Sequence, residues 1–462
     1  MELSFKTLAA IQIGWVLASI WRFIKRSDEV PLLASAMVAY FGCYRYFTVL
    51  MGWNEWGDIT NLGFSEVTNE TALIALRAMV IGESVFLAAY FVFQKQTFPP
   101  VRLSLAPAFA RQVRGQAFTA ALVLLPLTYL VNAIVAGKMA AGISMAFGIS
   151  AYLYLFPLIL SSVAVVLVIL WRYGNLPSGD RWFALGMVGL IFYTTYGVSG
   201  RFKFLSWLIA GAVILSASYS AKRRLGFMAA VSAGILAMFA VAGAKRGDAY
   251  YVDGMAAEAA WARFQTAEDA NMLDGMVYVQ QVIPSRLPFR YGGEHLEILY
   301  RPIPRAWWPN KPVTAYMLKI SGMDQERGAT LGISPSLFGS FYVEGGMIGV
   351  VLGSFIYAYL IAKLFSIAAP LHPFASLLVR CLVCASLVPL LRGGDLPGVY
   401  AWLVMAFWPL LLLLLFKRKQ LSKNSPWFLN TPEAGAAPVS DRFRRRGRAR
   451  LSAAPALTRY RS

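Results

Sequence analysis

Long runs of apolar residues, separated by short polar connections, dominate the chain from near its N-terminus to about residue 416. A helix needs about 20 mainly apolar residues to cross the hydrocarbon core, because each residue adds about 1.5 Å to a layer about 30 Å thick. The pattern therefore predicts an all-α polytopic membrane protein whose residues 1–416 form eleven transmembrane helices. The eleven runs lie near residues 7–23, 31–52, 71–93, 116–136, 149–171, 182–198, 204–219, 226–244, 336–362, 373–391 and 397–416.

One long connection, residues 245–335, interrupts this series between the eighth and ninth predicted helices. It is about the size of a small domain. Residues 255–282 have helical composition and spacing, so they are predicted to form a helix. Residues 301–312, RPIPRAWWPNKP, are not, because their prolines remove backbone donors and fix an extended or turning chain.

Positive charge is unevenly distributed among the connections, and this indicates how the chain is oriented. Residues 53–70 contain four acidic residues and no Lys or Arg, whereas the connections on either side are basic. The basic connections lie on the side of the basic segment 417–462, which is predicted to be the cytoplasm. The N-terminus and the 245–335 connection are then periplasmic, and the chain is predicted to lie in a bacterial inner membrane. The cytoplasmic cations are Arg22, Lys25, Arg26, Lys95, Arg102, Arg111, Arg114, Arg172, Arg181, Lys222, Arg223, Arg224 and Lys363.

Composition agrees with a membrane location. Hydrophobic residues make up 58% of the 462 and charged residues 14%, against about 25% charged in soluble domains. The net charge of +20 would suit nucleic acid, but residues 417–462 alone hold twelve Lys or Arg and two acidic residues. A basic segment directly after an apolar run is typical of a cytoplasmic membrane flank, so this tail is predicted to be disordered and to rest on anionic lipid. No nucleic-acid partner is expected.

No cofactor or metal site is predicted. Cys43, Cys381 and Cys384 lie inside apolar runs, so they are interpreted as buried apolar side chains rather than as disulfides or metal ligands. The carboxylates of the external connections show no D-x-D-like clustering. Any chemistry on this chain is therefore expected to be metal-independent.

Arginines occur in three external connections, whereas the other external connections have few positive charges. Arg201 lies in TYGVSGRFKFLSWL, Arg301 and Arg305 lie in RPIPRAWWPNKP with Lys311, and Arg392 lies in LLRGGDLPG. Guanidinium groups match phosphate oxygens with paired hydrogen bonds, which makes these cations candidate phosphate ligands. The alternative interpretation is that they, with the tryptophans of the same loop, only anchor helix ends and loop at the bilayer surface.

Three stretches in the second half of the chain resemble the O-antigen or oligosaccharide repeat-unit polymerases (Wzy type), which are related to the O-antigen ligases. They are Ser199-Gly200-Arg201, the Pro-Arg-x-x-Trp-Pro-x-Lys-Pro stretch at 304–312, and GISPSLFGSFYVEGGMIGVVLG with its Gly-x-x-Gly spacing. Where family members often have a Gly-Glu pair, this chain has Gly339-Ser340, so no acid is carried over there. The ligases typically have a His at the mouth of this helix, whereas residues 333–336 contain none. The resemblance thus favours a polymerase over a ligase.

The resemblance implies a GT-C-like helical bundle that transfers a glycan from an undecaprenyl diphosphate carrier onto a second lipid-linked repeat unit. Its partners would be these substrates, membrane lipids and a chain-length regulator. Because charge develops on the departing diphosphate, pre-placed cations can stabilise it as a metal ion would. Arg201, Arg305 and Arg392 are predicted to bind the diphosphates, with Arg301 and Lys311 assisting.

The attacking sugar hydroxyl also needs a proton acceptor. Glu344, near the outer end of the ninth predicted helix, is the first candidate for this catalytic role. His295, in YGGEHLEILYRP of the long connection, is the second. The alternative interpretations are an ion pair between Glu344 and an arginine, and an ordinary loop position for His295.

Charged residues inside the predicted spans must face the bundle interior, because each costs about 2.5 to 3.5 kcal/mol at the bilayer centre. Arg45 and Arg77 could line the path of a lipid carrier or pair with Glu83. The glycines at 346, 349 and 353 suit close helix packing or the passage of a lipid, and packing is favoured.

Two other classes of protein also fit a many-helix chain with internal cations. A flippase or another transporter of lipid-linked oligosaccharide usually has related halves and helices broken within the membrane, and the sequence shows neither. A non-enzymatic assembly partner would not need so many charged residues in its spans. The sugars, their linkage and the oligomeric state have no signature in the sequence.

Overall fold

The computed structural model describes residues 4–57, 66–101, 107–141, 149–196, 202–244, 261, 271–303, 307–308, 310–311, 334–393, 396–416 and 421. Every regular element within these ranges is helical. The α-helices are α1 (Phe5–Arg26), α2 (Glu29–Val38), α3 (Arg45–Leu50), α4 (Asn69–Phe93), α5 (Pro107–Ala140), α6 (Ile149–Leu155), α7 (Leu160–Tyr173), α8 (Ser178–Tyr196), α9 (Phe202–Ser216), α10 (Ala221–Ala244), α11 (Met272–Val282), α12 (Gly293–Tyr300), α13 (Ser336–Ala368), α14 (Pro373–Arg392) and α15 (Leu396–Phe416).

Seven helical stretches among the described residues are long and apolar enough to cross a membrane. They are α1, α4, residues 109–138 of α5, residues 152–173 across α6 and α7, α13, α14 and α15. The prediction of a helical membrane protein is confirmed. The other four predicted spans are helical over most of their length but do not reach this criterion, so the count of eleven stays a prediction. One of them is divided into α2, a π-helical segment Ala39–Tyr44 and α3.

Helix α4 packs along α13. Gly82 makes this approach close, because a Cβ there would overlap the ring of Phe338 and lie 2.9 Å from Val350. The opposite surfaces of the outer helices are apolar and exposed, for example at Leu17 of α1 and Ile348 of α13, which are 60% and 72% exposed. Such a surface is suited to an apolar environment such as lipid.

Helix α13 is broken at Gly345 and Gly346. Gly346 has φ 62° and ψ −145°, a conformation that side chains with a Cβ rarely adopt. Residues 336–344 fold back onto residues 347–368, and a Cβ at Gly353 would lie 2.5 Å from the ring of Phe341. The glycine spacing of this helix therefore serves close packing, as predicted. The expectation that no helix is broken is wrong here, because two consecutive glycines permit a reversal inside an apolar run.

The long connection 245–335 contributes to the bundle interior. Residues 271–303 are the first long described stretch of this connection, and helix α11 lies in it, within the predicted helix 255–282. Helix α11 packs between α4 and α13, with most of its side chains buried. Asp274 of α11 accepts two hydrogen bonds from Arg45, from Nε and Nη2, each at 2.9 Å. Arg45 thus pairs with a carboxylate from the long connection rather than with Glu83, whose Oε1 accepts a hydrogen bond from Gln12 at 3.0 Å.

A second group of buried charges lies where the α1–α2 connection meets α14. Nε of Arg22 donates to Asp28 at 3.2 Å, and Nε of Arg380 donates to Glu29 at 2.7 Å. Arg224 of α10 also pairs with Glu29. Backbone hydrogen bonds from Phe98 to Arg26 and from Val101 to Ala217 join further connections here, each 2.8 Å long. These connections share one end of the bundle, as the charge pattern requires.

The three cysteines are free thiols. The basic tail 417–462 lies outside the described residues except for Leu421.

Candidate functional site

The segment before α12 is bound to the break in α13. A helix break leaves backbone carbonyls without their intrahelical donors. Here the N–H of Arg290 donates to the carbonyl of Val343, and the N–H of Tyr291 donates to the carbonyl of Glu344, both at 2.9 Å. The long connection and α13 are therefore held together at the point where Glu344 leaves the helix.

The Glu344 carboxylate then caps the N-terminus of α12. Its Oε2 accepts a hydrogen bond from the N–H of Gly292 at 2.5 Å, and its Oε1 accepts from the N–H groups of Glu294 and His295 at 3.1 and 3.2 Å. Backbone donors at a helix start favour a negative charge. The carboxylate is thus ionised and acts only as an acceptor.

His295 extends this contact into a chain of side chains. Its Nδ1 lies 2.7 Å from Oε1 of Glu344, and its Nε2 lies 3.2 Å from the hydroxyl of Tyr357. The hydroxyl of Tyr400 donates to that of Tyr357 at 3.0 Å. Because Glu344 can only accept, Nδ1 carries a proton, and Nε2 is an acceptor toward Tyr357 in the neutral form of the ring. We call Glu344, His295, Tyr357 and Tyr400 the hydroxyl relay.

This arrangement suits proton transfer. A carboxylate on Nδ1–H fixes the ring and its tautomer and stabilises the imidazolium that forms when Nε2 takes a proton. The ring also contacts Phe341, with centroids 6.3 Å apart and planes 13° apart. The His295 side chain is 38% exposed and that of Glu344 only 10%. His295 is therefore the member of the pair that an outside hydroxyl can reach.

Two of the predicted phosphate ligands lie around the end of α12. Nη1 of Arg301 is 3.7 Å from Glu297, a fully buried carboxylate that Arg290 also approaches at 3.7 Å. Lys311 is buried, and its Nζ donates to the carbonyls of Arg301 and Ile303 at 2.8 and 2.5 Å. Lys311 thus closes the turn that follows α12. Its binding of a diphosphate stays a prediction, as does that of Arg301.

Tyr300, the last residue of α12, lies beside the same carboxylate. Burial raises the pKa of the Tyr300 phenol, and the charge of Glu297 raises it further. The phenol is therefore neutral at ordinary pH and adds no charge to the site.

Arg392 ends α14 beside the start of α13. The next residue, Gly393, has φ 75°, and a Cβ there would overlap the backbone of Ser336. Arg392 is thus placed near the first segment of α13, which carries Glu344. Arg201 and Arg305 lie outside the described residues. The predicted meeting of Arg201, Arg305 and Arg392 therefore stays a prediction.

Two candidates that the sequence offered separately, Glu344 and His295, form one unit in the structure. Tyr357 and Tyr400 were missed, because a tyrosine in an apolar run gives no signal of a hydroxyl contact. The Gly345-Gly346 pair directly after Glu344 was the available signal for a helix break. Among the described residues, no group of three or more His, Cys, Asp or Glu side chains could hold a metal ion.

Comparisons with models of known protein families, with curated proteins and with solved structures find no match. The geometry of the site is therefore the basis for interpreting its chemistry.

Proposed function

We propose that this protein polymerises undecaprenyl-diphosphate-linked oligosaccharide repeat units at the outer face of a bacterial inner membrane. The observation that supports this best is the hydrogen bond between Glu344 of α13 and His295 of α12, a short helix that is followed directly by Arg301. Such a site joins a proton acceptor to a cation within one helix length. Glycosyl transfer from a diphosphate carrier needs both.

In the proposed reaction, a sugar hydroxyl of the acceptor attacks the anomeric carbon of the donor glycan. A new carbon–oxygen bond forms, the bond from that carbon to the diphosphate oxygen breaks, and undecaprenyl diphosphate leaves with the bonding electrons. The hydroxyl proton passes to Nε2 of His295, which exchanges its 3.2 Å contact with Tyr357 for the substrate. Glu344 stabilises the resulting imidazolium.

This assignment reverses the order of the two candidate bases. Glu344 is held by three backbone N–H groups and by Nδ1–H of His295, so its lone pairs are already occupied. We therefore assign proton acceptance to His295 and positioning to Glu344. Arg301, Arg392 and Lys311, with Arg201 and Arg305, would stabilise the diphosphate charge without a metal ion. A chain-length regulator is a further partner in this proposal.

A ligase is a second candidate, because α12 brings His295 to the break of α13, beside Glu344. The absence of a His in residues 333–336 therefore separates polymerase from ligase less well than the sequence suggested. A transporter of lipid-linked oligosaccharide is a third candidate, and the break in α13 at Gly346 favours it, since transporters often bind substrate at broken helices.

Reconstitution of the purified protein in liposomes with lipid-linked repeat units separates the three. A polymerase lengthens the glycan on its carrier without any nucleotide sugar. A ligase transfers glycan only when a separate lipid acceptor is added, and a transporter only moves the unaltered substrate between leaflets. If the glycan keeps its length in the presence of folded protein, the polymerase proposal is overturned.

A further inference from the structure

Helix α12 has its polarity reversed relative to a helix that faces water. Its acidic side chains point inward, with Glu294 at 3% and Glu297 at 0% exposure. Its large apolar side chains point outward, with Leu296 at 58% and Leu299 at 75% exposure. A helix on a water-exposed surface shows the opposite arrangement.

The same reversal continues through the turn that follows α12. Trp307 is 81% exposed, whereas the ammonium group of Lys311 is turned inward onto backbone carbonyls. In the described part of residues 291–311, Asn310 is the one exposed residue whose side chain is neither aliphatic nor aromatic. The exposed residues are Tyr291, Leu296, Leu299, Pro302, Ile303, Trp307, Trp308 and Asn310.

A continuous apolar surface of this kind needs an apolar environment. The neighbouring helix shows which environment is present, because α12 packs on α15, a membrane-spanning helix. The hydroxyl relay joins α12 to Tyr400, near the first turn of α15, so α12 lies at the end of that span. Further along α15, Val404 and Trp408 are 47% and 39% exposed, so apolar exposure is shared by both helices.

We infer that α12 and the turn through Trp308 lie in the lipid at the membrane surface, with their apolar face in the boundary between headgroups and acyl chains. Tryptophan and tyrosine are enriched at this depth because they combine an apolar ring with a polar group. Amphipathic helices bind there with their apolar faces in the lipid. The inference depends on the membrane-spanning fold and does not depend on the proposed glycan chemistry.

The location has a consequence for the site. His295 lies one turn before Leu299 on the same helix, so its ring would be held at the level of lipid headgroups. A sugar attached to a lipid through a diphosphate presents its reactive carbon at this depth. The apolar face of the segment would thus set the depth of the site.

The test is a depth measurement with the full chain in lipid nanodiscs. Leu299→Cys is introduced into a chain with Cys43, Cys381 and Cys384 replaced by Ala, and is labelled with an environment-sensitive fluorophore. We expect nitroxide groups near the top of the lipid acyl chains to quench the label several-fold more than aqueous iodide does. Ser285→Cys is the matched control, because Ser285 is exposed beside the exposed Arg286 and should show the reverse order.

Quenching of the Leu299 label by iodide as strong as that of the Ser285 label would overturn the inference, because the surface would then face water. Protection from both quenchers would also overturn it, because a second copy of the chain or another protein would then cover the surface. If the cysteine-free chain does not fold, tryptophan quenching by brominated lipid in the native chain gives the answer. Trp307→Phe should remove a part of the tryptophan fluorescence that brominated lipid quenches and iodide does not. If the part that is lost is instead quenched by iodide, the inference is contradicted.

Discussion

Two buried polar groups of side chains differ in whether they reach the surface. The first, which we call the ion-pair cluster, contains Arg22, Asp28, Glu29, Arg224 and Arg380. All five are 4% exposed or less, and the carboxylates pair with the arginines. The hydroxyl relay instead includes the His295 side chain, which is 38% exposed. The closed cluster has no such access to a substrate, whereas the relay can exchange a proton with one at His295.

The largest effect is expected from breaking the ion-pair cluster. Glu29→Ala leaves Arg224 and Arg380 buried without the carboxylate that both now contact. Removing one partner of a buried pair typically destabilises a protein by about 3 to 5 kcal/mol. Thermal unfolding of the detergent-solubilised protein measures this loss.

Arg114→Ala is the matched control, because Arg114 and Asp180 form an ion pair whose side chains are 33% and 30% exposed. A pair this exposed contributes only about 0 to 1 kcal/mol. Equal stability of the two variants would show that the burial of the cluster does not stabilise the fold.

Removing His295 from the relay should affect activity more than stability. His295→Ala should slow glycan elongation by about 100-fold or more, since a positioned base contributes about 10² to 10⁴ in rate. Assays of glycan length in proteoliposomes measure this effect, with thermal unfolding as the check on folding.

The chain provides its own control in His372, the second of its two histidines. Its Nδ1 accepts a hydrogen bond from the N–H of Phe374 and caps α14. His372→Ala should therefore lower stability by about 1 kcal/mol and retain elongation. Retained elongation in His295→Ala would exclude the relay from the reaction.

The contrast between these two groups shows what the sequence could predict. Apolar runs located the seven spanning stretches, because a run of about 20 apolar residues has few alternatives to a transmembrane helix. Residue type and position also selected Glu344 and His295 as candidates. Their hydrogen bond could not be predicted, because it joins residues 49 positions apart through a helix reversal.

Pairing of charges over longer distances was equally inaccessible. Arg45 and Asp274 are 229 positions apart, and their pairing depends on α11 packing inside the bundle. The sequence placed the long connection outside the membrane as one unit, because its side was derived from the alternation of basic connections along the spans. The burial of α11 and the outward apolar face of α12 depend on which residues lie on each face of a single helix. An average over the whole connection does not show these faces.

The geometry that joins α12 to α13 can be tested at the two glycines of the break. Gly346→Ala should destabilise the protein by about 1 to 3 kcal/mol, because φ 62° with ψ −145° strains any residue with a Cβ. The added Cβ would also lie 3.2 Å from the ring of Phe289. Thermal unfolding and glycan elongation should both decrease.

Gly345→Ala is the control for this change. Gly345 has φ −175°, which any residue adopts, and a Cβ there would meet no atom within 4 Å. Gly345→Ala should therefore behave almost like the unaltered protein. If the two variants had equal free energies of unfolding, a Cβ at position 346 would not strain the reversal.

The smallest effect is expected at the inner end of the relay. Tyr400→Phe removes the hydroxyl that donates to Tyr357 at 3.0 Å but keeps the ring. A typical hydrogen bond contributes about 0.5 to 1.5 kcal/mol, so stability should fall by about 1 kcal/mol and elongation by several-fold at most. Tyr357→Phe should reduce elongation more than Tyr400→Phe, because only Tyr357 contacts His295 directly. The reverse order in elongation assays would mean that protons leave His295 by a route other than these two hydroxyls.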